Sequence, residues 1–335
     1  MTRTSTPVGF VTGFLGSGKT TLIQQALAHP DLRNTAVIIN EFGEIGLDHL
    51  MVETSTETVI ELRNGCICCT IHQDLALTLR DLHARRLLGD IPAFDYVLVE
   101  TTGLADPGPL LHTLTVTPAF KGVFHPDAVI TCVDLCALGD TVAAHRTAAD
   151  QVAMADLLVL TKGDLATRSQ KAAALVVLDA INPDAERVCA PHGDIDPMQL
   201  FRRGLYQPPR GRMSRWLGVA AGAGGAAAPS RRHDHGAEYM SCAFRADDAV
   251  SLAGLTVFLN RLVNSEHGEV LRVKGVLRFR ERDGRAAIVH GVRGKFHPLQ
   301  WLDAWPDPQI GGCLIVIGRN LVRQEMEAGF EALCR

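Results

Sequence analysis

The chain has 335 residues, 47% of them hydrophobic, 21% charged and 5% aromatic; this composition excludes a disordered or fibrous protein and supplies apolar surface for more than one core. A formal net charge of -4 and a pI near 6.3, with no long run of Lys or Arg, leave no basic footprint for nucleic acid. The polar start MTRTSTP lacks a secretory pattern, and no stretch reaches the roughly 18 apolar residues needed to cross a bilayer, so a cytoplasmic protein with no membrane partner is expected.

Up to about residue 205, apolar β-rich runs at 8–12, 36–40, 96–100, 128–133 and 157–161 alternate with helix-like segments. The runs are nearly continuous in Val, Ile and Leu, as strands buried on both faces are, so the expected class is α/β with a mostly parallel sheet and its chemistry at the C-terminal strand ends. Residues 206–237, rich in Gly, Ala, Pro and Arg, show no sustained period and read as a flexible linker. Beyond them YMSCAF reads as a strand, and Leu252, Leu255, Phe258, Leu259 and Leu262 recur at helical spacing. VLRVKGVLRF, RAAIVHGV and CLIVIG read as further strands before a helix that follows Asn320, which makes 238–335 a smaller α+β domain.

The first run leads into Gly13-Phe14-Leu15-Gly16-Ser17-Gly18-Lys19-Thr20, with a helix-compatible segment from Thr21 to Ala28. This is the full G-x-x-x-x-G-K-[ST] pattern in its strand–loop–helix setting. Gly13, Gly16 and Gly18 let the backbone close around phosphates, and N–H groups around Ser17, Thr20 and Thr21 can point at the anion. Lys19 is expected to reach the β- and γ-phosphates, and the Thr20 hydroxyl to ligate Mg²⁺.

The run 157–161 ends in Thr161-Lys162-Gly163-Asp164. A carboxylate at Asp164 can accept from the N1 and N2 donors of guanine, whereas adenine offers an acceptor at N1; GTP is the expected nucleotide. Asn is the usual first residue of this base-reading pattern, and Thr161 stands there. The acid needed near magnesium is Glu100, which ends the run 96–100, and Gly103 follows where a backbone N–H can sense the γ-phosphate.

Of nine cysteines, Cys66, Cys68 and Cys69 crowd into four positions, as suits metal or redox chemistry better than a disulfide framework. Three thiolates make a soft anionic site for Zn²⁺ or Cu(I), with a position left over for exchange; a redox-active thiol pair or structural cysteines are the alternatives. Cys132, Cys136, Cys242 and Cys313 lie in apolar stretches and read as buried free thiols. In the acidic segment NEFGEIGLD, Glu41, Glu44 and Asp48 are candidates for holding Mg²⁺ or the thiophilic metal, with solvated loop acids as the other reading. Glu41 is also a candidate for a part in hydrolysis. His233-Asp234-His235 could recruit metal loosely.

Taken in order, GFLGSGKT, NEFGEIGLD, NGCICC, ETTGLADP and TKGDL resemble the CobW-like family of P-loop GTPases, relatives of the nickel-insertion GTPases of hydrogenase and urease maturation. Past the linker, HGEVLRVKG from His267 and the late Trp301 resemble that family's C-terminal domain. The resemblance implies a metallochaperone or metal-insertion GTPase, with metal at the triplet Cys66, Cys68 and Cys69 and its release governed by GTP state. In the same way it implies Glu100 and Gly103 as the family's E-x-x-G, Lys162 and Asp164 as its base-reading pair, a client metalloprotein as partner, and a capacity to dimerise. Zinc, cobalt(II) and iron(II) all tolerate such a site. The His-rich stretch of many members shrinks here to His233-Asp234-His235, which weakens a storage role for the linker. A small-molecule kinase and a non-catalytic zinc buffer are the rival readings.

Overall fold

A computed structural model describes residues 5–29, 32, 34–39, 59–61, 70–200, 238–266, 268–305 and 311–334, without the side chains of 59–61, 70–74, 198 and 199. Glu41, Glu44, Asp48, the three clustered cysteines and the 206–237 segment with His233 and His235 lie outside the described residues. The chain forms two compact units, one of residues 1–151, 157–171 and 187–205, the other of residues 152–156, 172–186 and 206–335. No described helix is long and apolar enough to cross a membrane.

In chain order the first part runs β1 (Thr6–Thr12), α1 (Lys19–Leu27), β2 (Thr35–Ile39), β3 (Val59–Glu61), α2 (Thr70–Leu88), β4 (Tyr96–Glu100), α3 (Gly108–Val116) and β5 (Phe124–Asp134). It continues with α4 (Leu138–Ala144), α5 (Arg146–Met154), β6 (Leu157–Thr161), α6 (Arg168–Ile181), β7 (Glu186–Ala190) and α7 (Pro197–Leu200). The strands lie in the order β3-β2-β4-β1-β5-β6-β7. Every registered pair among β3, β2, β4, β1, β5 and β6 is parallel.

The α/β reading therefore holds, and the continuous Val/Ile/Leu runs explain it. Every residue of β4 and of β6 is buried, as a strand covered on both faces requires. Val11, Leu98, Ile130 and Val159 meet Leu22, Ile23 and Ala26 of α1 in one core. Each large aliphatic side chain buried there contributes roughly 1.5–3 kcal/mol. The chain passes from β4 to β5 across β1, and in such sheets ligands bind at the C-terminal strand ends beside a crossover of this kind.

The second part contains β8 (Tyr239–Ala246), α8 (Leu252–Val263), β9 (Glu269–Phe279), β10 (Arg285–Val292), β11 (Lys295–Phe296), β12 (Gln300–Trp301), β13 (Gly312–Arg319) and α9 (Arg323–Cys334). Its sheet, ordered β11-β10-β9-β13-β8 with β12 on β10, has antiparallel pairs throughout. Alternation along the strands gives one face to an apolar core: Val273, Leu277, Val289, Leu314 and Val316 pack with Leu255, Phe258 and Leu259 of α8 and Met326, Phe330 and Leu333 of α9. Phe244, Phe258 and Phe330 form its aromatic centre, with Phe244 stacked on Phe330 at 4.9 Å. The face opposite carries Arg272, Lys274 and its cross-strand neighbour His290, all buried.

Candidate nucleotide-binding site

The phosphate loop begins where β1 ends. Gly13 has φ +137°, and a Cβ there would collide with the Cys132 carbonyl and lie 2.7 Å from Ser17 Oγ. Only glycine fits that combination of left-handed backbone and close approach. Gly16 and Gly18 also have positive φ, at +71° and +90°. Gly18 caps α1 with no side-chain hydrogen bond to the helix, so the first N–H groups of α1 remain directed at whatever occupies the loop. Ser17 Oγ is buried with no hydrogen-bond partner among the described residues, a polar atom that a phosphate oxygen would satisfy.

Lys19 is buried and bridges the loop, its Nζ donating to the carbonyls of Gly13 at 3.0 Å and Phe14 at 3.3 Å. The Thr20 hydroxyl donates to Glu100 Oε1 at 2.8 Å. β1 and β4 are neighbours with Val11 opposite Glu100, which carries this 1% exposed carboxylate from residue 100 to within reach of residue 20. A buried carboxylate beside a hydroxyl oxygen is a hard oxygen donor set that fits Mg²⁺. Thr21 is exposed in the first turn of α1.

Gly103 lies against the loop: a Cβ there would stand 2.6 Å from the Leu15 nitrogen and 2.8 Å from its Cα. Cys132 lies beneath the loop, its thiol pushed up to about 12 by burial first, with Lys19 opposing and Glu100 reinforcing. It remains a protonated, small apolar group, as do Cys242 and Cys313, each pushed up to about 11 chiefly by burial. Cys136 departs from the sequence reading. It is only half-buried, because it follows β5 into a turn, and its Sγ lies 3.7 Å from the Lys162 carbonyl.

At the end of β6, the single hydroxyl hydrogen of Thr161 is shared between the Ser17 carbonyl at 2.8 Å and the Val133 carbonyl at 3.0 Å. Thr161 thus ties the segment that follows it to the phosphate loop. Lys162, in the left-handed region with φ +55°, places Nζ 2.7 Å from Asp134 Oδ2. Asp164 Oδ2 lies 3.4 Å from His192 Nε2. Sequence reasoning had not singled out Asp134 or His192. Asp134 offered one signal, an acid at a strand end like Glu100; His192, in the short turn after β7, offered none.

Comparisons with known proteins identify the family. Residues 7–188 match the family model described as CobW/HypB/UreG, nucleotide-binding domain, and residues 239–334 match the cobalamin synthesis protein cobW C-terminal domain. The chain is 30% identical over 329 residues to the zinc chaperone YjiA of Escherichia coli K12, covering 97% of this chain and 98% of the relative. Over 189 residues it is 39% identical to the zinc chaperone CobW of Pseudomonas aeruginosa, 47% of this chain and 49% of that one. The crystal structure of Zn(II)-bound YjiA GTPase from E. coli superposes with a TM-score of 0.72 at 26% identity, covering 99% of both chains. On both domain matches and the full-length likeness to YjiA, the chain belongs to the CobW/HypB/UreG family, in the form that carries the CobW C-terminal domain.

Proposed function

We propose that this chain is a GTP-hydrolysing metallochaperone that binds zinc at Cys66, Cys68 and Cys69 and passes it to a client protein under control of its nucleotide state. The observation that carries the reading is the Thr20–Glu100 hydrogen bond of 2.8 Å next to Lys19, which supplies a hydroxyl, a carboxylate and a cation at one end of a phosphate loop. Relatives named as zinc chaperones support zinc, with cobalt(II) or iron(II) as lesser alternatives.

In this reading the N–H groups of the loop bind the phosphates, and Lys19 swings from the Gly13 and Phe14 carbonyls to the β- and γ-phosphates. Thr20 and Glu100 would hold Mg²⁺, which when bound neutralises charge on the β- and γ-oxygens. Asp164 accepts from guanine after releasing His192, and Lys162, braced by Asp134, lies along the base. The Gly103 N–H meets the γ-phosphate, and Glu41 joins the reacting centre or the metal.

Because nucleotide and zinc share one chain, any effect of GTP on zinc affinity is matched by an equal effect of zinc on GTP affinity. Thiolates bind metal only when deprotonated, so zinc affinity rises with pH. Competition with a chelator, in the presence of a non-hydrolysable GTP analogue, GDP or no nucleotide, tests the coupling. Three equal affinities would defeat it. Serine at all three cysteines should abolish tight zinc binding while leaving GTP turnover measurable.

A further inference from the structure

We propose that Gln151 is the positioning residue of the Gly103 turn, and that its side-chain amide sets how well the chain distinguishes GTP from GDP. The inference rests on the GTPase reading above and names a residue that carries it out.

Gln151 lies on α5 and is wholly buried. Its Nε2 donates to the Gly103 carbonyl at 3.2 Å and to the Ala105 carbonyl at 2.9 Å, which uses both hydrogens of the amide. Two acceptors facing one amide settle its orientation, since the flipped form would set Oε1 against two carbonyl oxygens. Oε1 has no hydrogen-bond partner among the described residues, so the two donated bonds are the polar interactions of this amide.

The helix behind the amide is itself anchored. Thr131 of β5 donates its hydroxyl to the Gln151 carbonyl at 3.0 Å, and β5 is the direct neighbour of β1, which delivers the phosphate loop. On the other side of the turn, Gly103 has no room for even a methyl group against Leu15 of that loop. Within the turn the Ala105 N–H closes onto the Thr102 carbonyl at 3.0 Å, and the Thr101 N–H donates to the Val11 carbonyl at 2.9 Å. Gly103 is therefore held between Leu15 and Gln151, in a turn closed by its own backbone hydrogen bond.

The Gly103 N–H can meet a γ-phosphate only if that turn is in the right place, and the Gln151 amide is a side-chain grip on it. A glutamine that merely filled the core would change stability and would act on GTP and GDP alike. A positioning glutamine changes the response to the γ-phosphate alone.

The test uses the full chain. Gln151→Met keeps the shape and removes both donors, Gln151→Glu sets a carboxylate against the two carbonyls, and Gln151→Asn keeps the amide but withdraws it by one methylene. Affinities for GDP and for a non-hydrolysable GTP analogue with Mg²⁺ are measured alongside kcat. For Gln151→Met the preference for analogue over GDP should fall about tenfold, the size expected for losing two ordinary hydrogen bonds, with GDP affinity within about twofold of the parent. Gln151→Glu should lose more, and Gln151→Asn less, in the same direction; the latter serves if Gln151→Met does not fold. Thr131→Val loosens the same helix without touching the amide and should leave the preference unchanged. An unchanged preference in folded Gln151→Met or Gln151→Asn, an equal loss for both nucleotides, or an equal loss in Thr131→Val overturns the proposal. If the parent shows no turnover that Lys19→Ala removes, the GTPase reading itself fails, whatever Gln151 does.

Discussion

Both units bury polar side chains, and in the first a group of them gathers at the C-terminal ends of parallel strands. In the first, Thr12, Glu100 and Thr161 close β1, β4 and β6, with Ser17 and Lys19 just beyond. In the second, Arg272, Lys274 and His290 lie within β9 and β10. At the end of a parallel strand the backbone leaves the ladder, so its N–H groups and side chains can turn together toward a ligand. Mid-strand the backbone is committed to its neighbours, and a buried cation there affects packing and specificity of fold before it affects chemistry. Burial pulls Lys274 below the ordinary lysine range and holds His290 well below the usual histidine value. Polar burial alone does not mark a site; in the first unit it coincides with the phosphate-loop pattern, which makes those strand ends the candidate.

The sharpest way to break this contrast is to make one steric change in each unit. Gly103→Ala pushes a methyl group into the Leu15 backbone. In the proposed function this turn meets the γ-phosphate, and displacing it by about an ångström should lower GTP turnover about 100-fold, read as phosphate release. Gly275→Ala in β9 collides with the Cys313 carbonyl and comes within 2.8 Å of Leu314 Cδ1. It should destabilise the fold by about 1–3 kcal/mol in urea, with turnover per folded molecule within about twofold. Equal losses of turnover in the two variants would end the distinction.

A smaller effect is expected at the base-reading turn. In the proposed function Asp164 accepts two bonds from guanine, and Asp164→Asn would put an amide donor against guanine N1. Discrimination of GTP over ATP in competition binding should fall about tenfold, and an unchanged ratio would mean that Asp164 does not face the base.

The smallest effect follows from the thiols and blurs the contrast, since both units share it. The Cys132 value is raised in the folded chain from 9.0 to about 12. Its stabilising contribution is therefore complete below pH 9 and is lost as pH rises toward 12. At pH 10 the loss is about 1 kcal/mol, seen as a lower urea midpoint than at pH 8. Cys242 and Cys313, at about 11, push the second unit the same way. Cys132→Ala should flatten the part of the slope that belongs to the first unit, and a midpoint with no pH dependence would contradict the burial argument.

Some of this was plain from residue order. Strands predicted at 96–100, 157–161 and 285–292 match β4, β6 and β10 at both ends, because a short β-rich run bounded by turn residues is a local signal. Elsewhere the local signal failed. β5 begins at Phe124, earlier than the predicted 128, since His125 and Pro126 break the apolar run while pairing with β1 carries the strand through them. β7 was missed: Glu-Arg-Val-Cys-Ala is a polar, half-exposed edge strand without the pattern of a buried one.

Residue order by itself determined the phosphate loop, since glycine spacing, Lys19 and Thr20 act within eight consecutive positions whose chemistry needs no distant partner. It also placed Glu100 at the end of a strand and Asp164 just beyond one. Only the tertiary structure decided that Glu100 meets Thr20, that Lys162 leans on Asp134, that Thr161 holds Ser17, and that Gln151 grips the turn at Gly103. These pairs are 80, 28, 144 and 48 residues apart. A hydrogen bond across such a separation leaves no period in the sequence, because it depends on which strands lie side by side, and that order is chosen by the packing of the whole sheet.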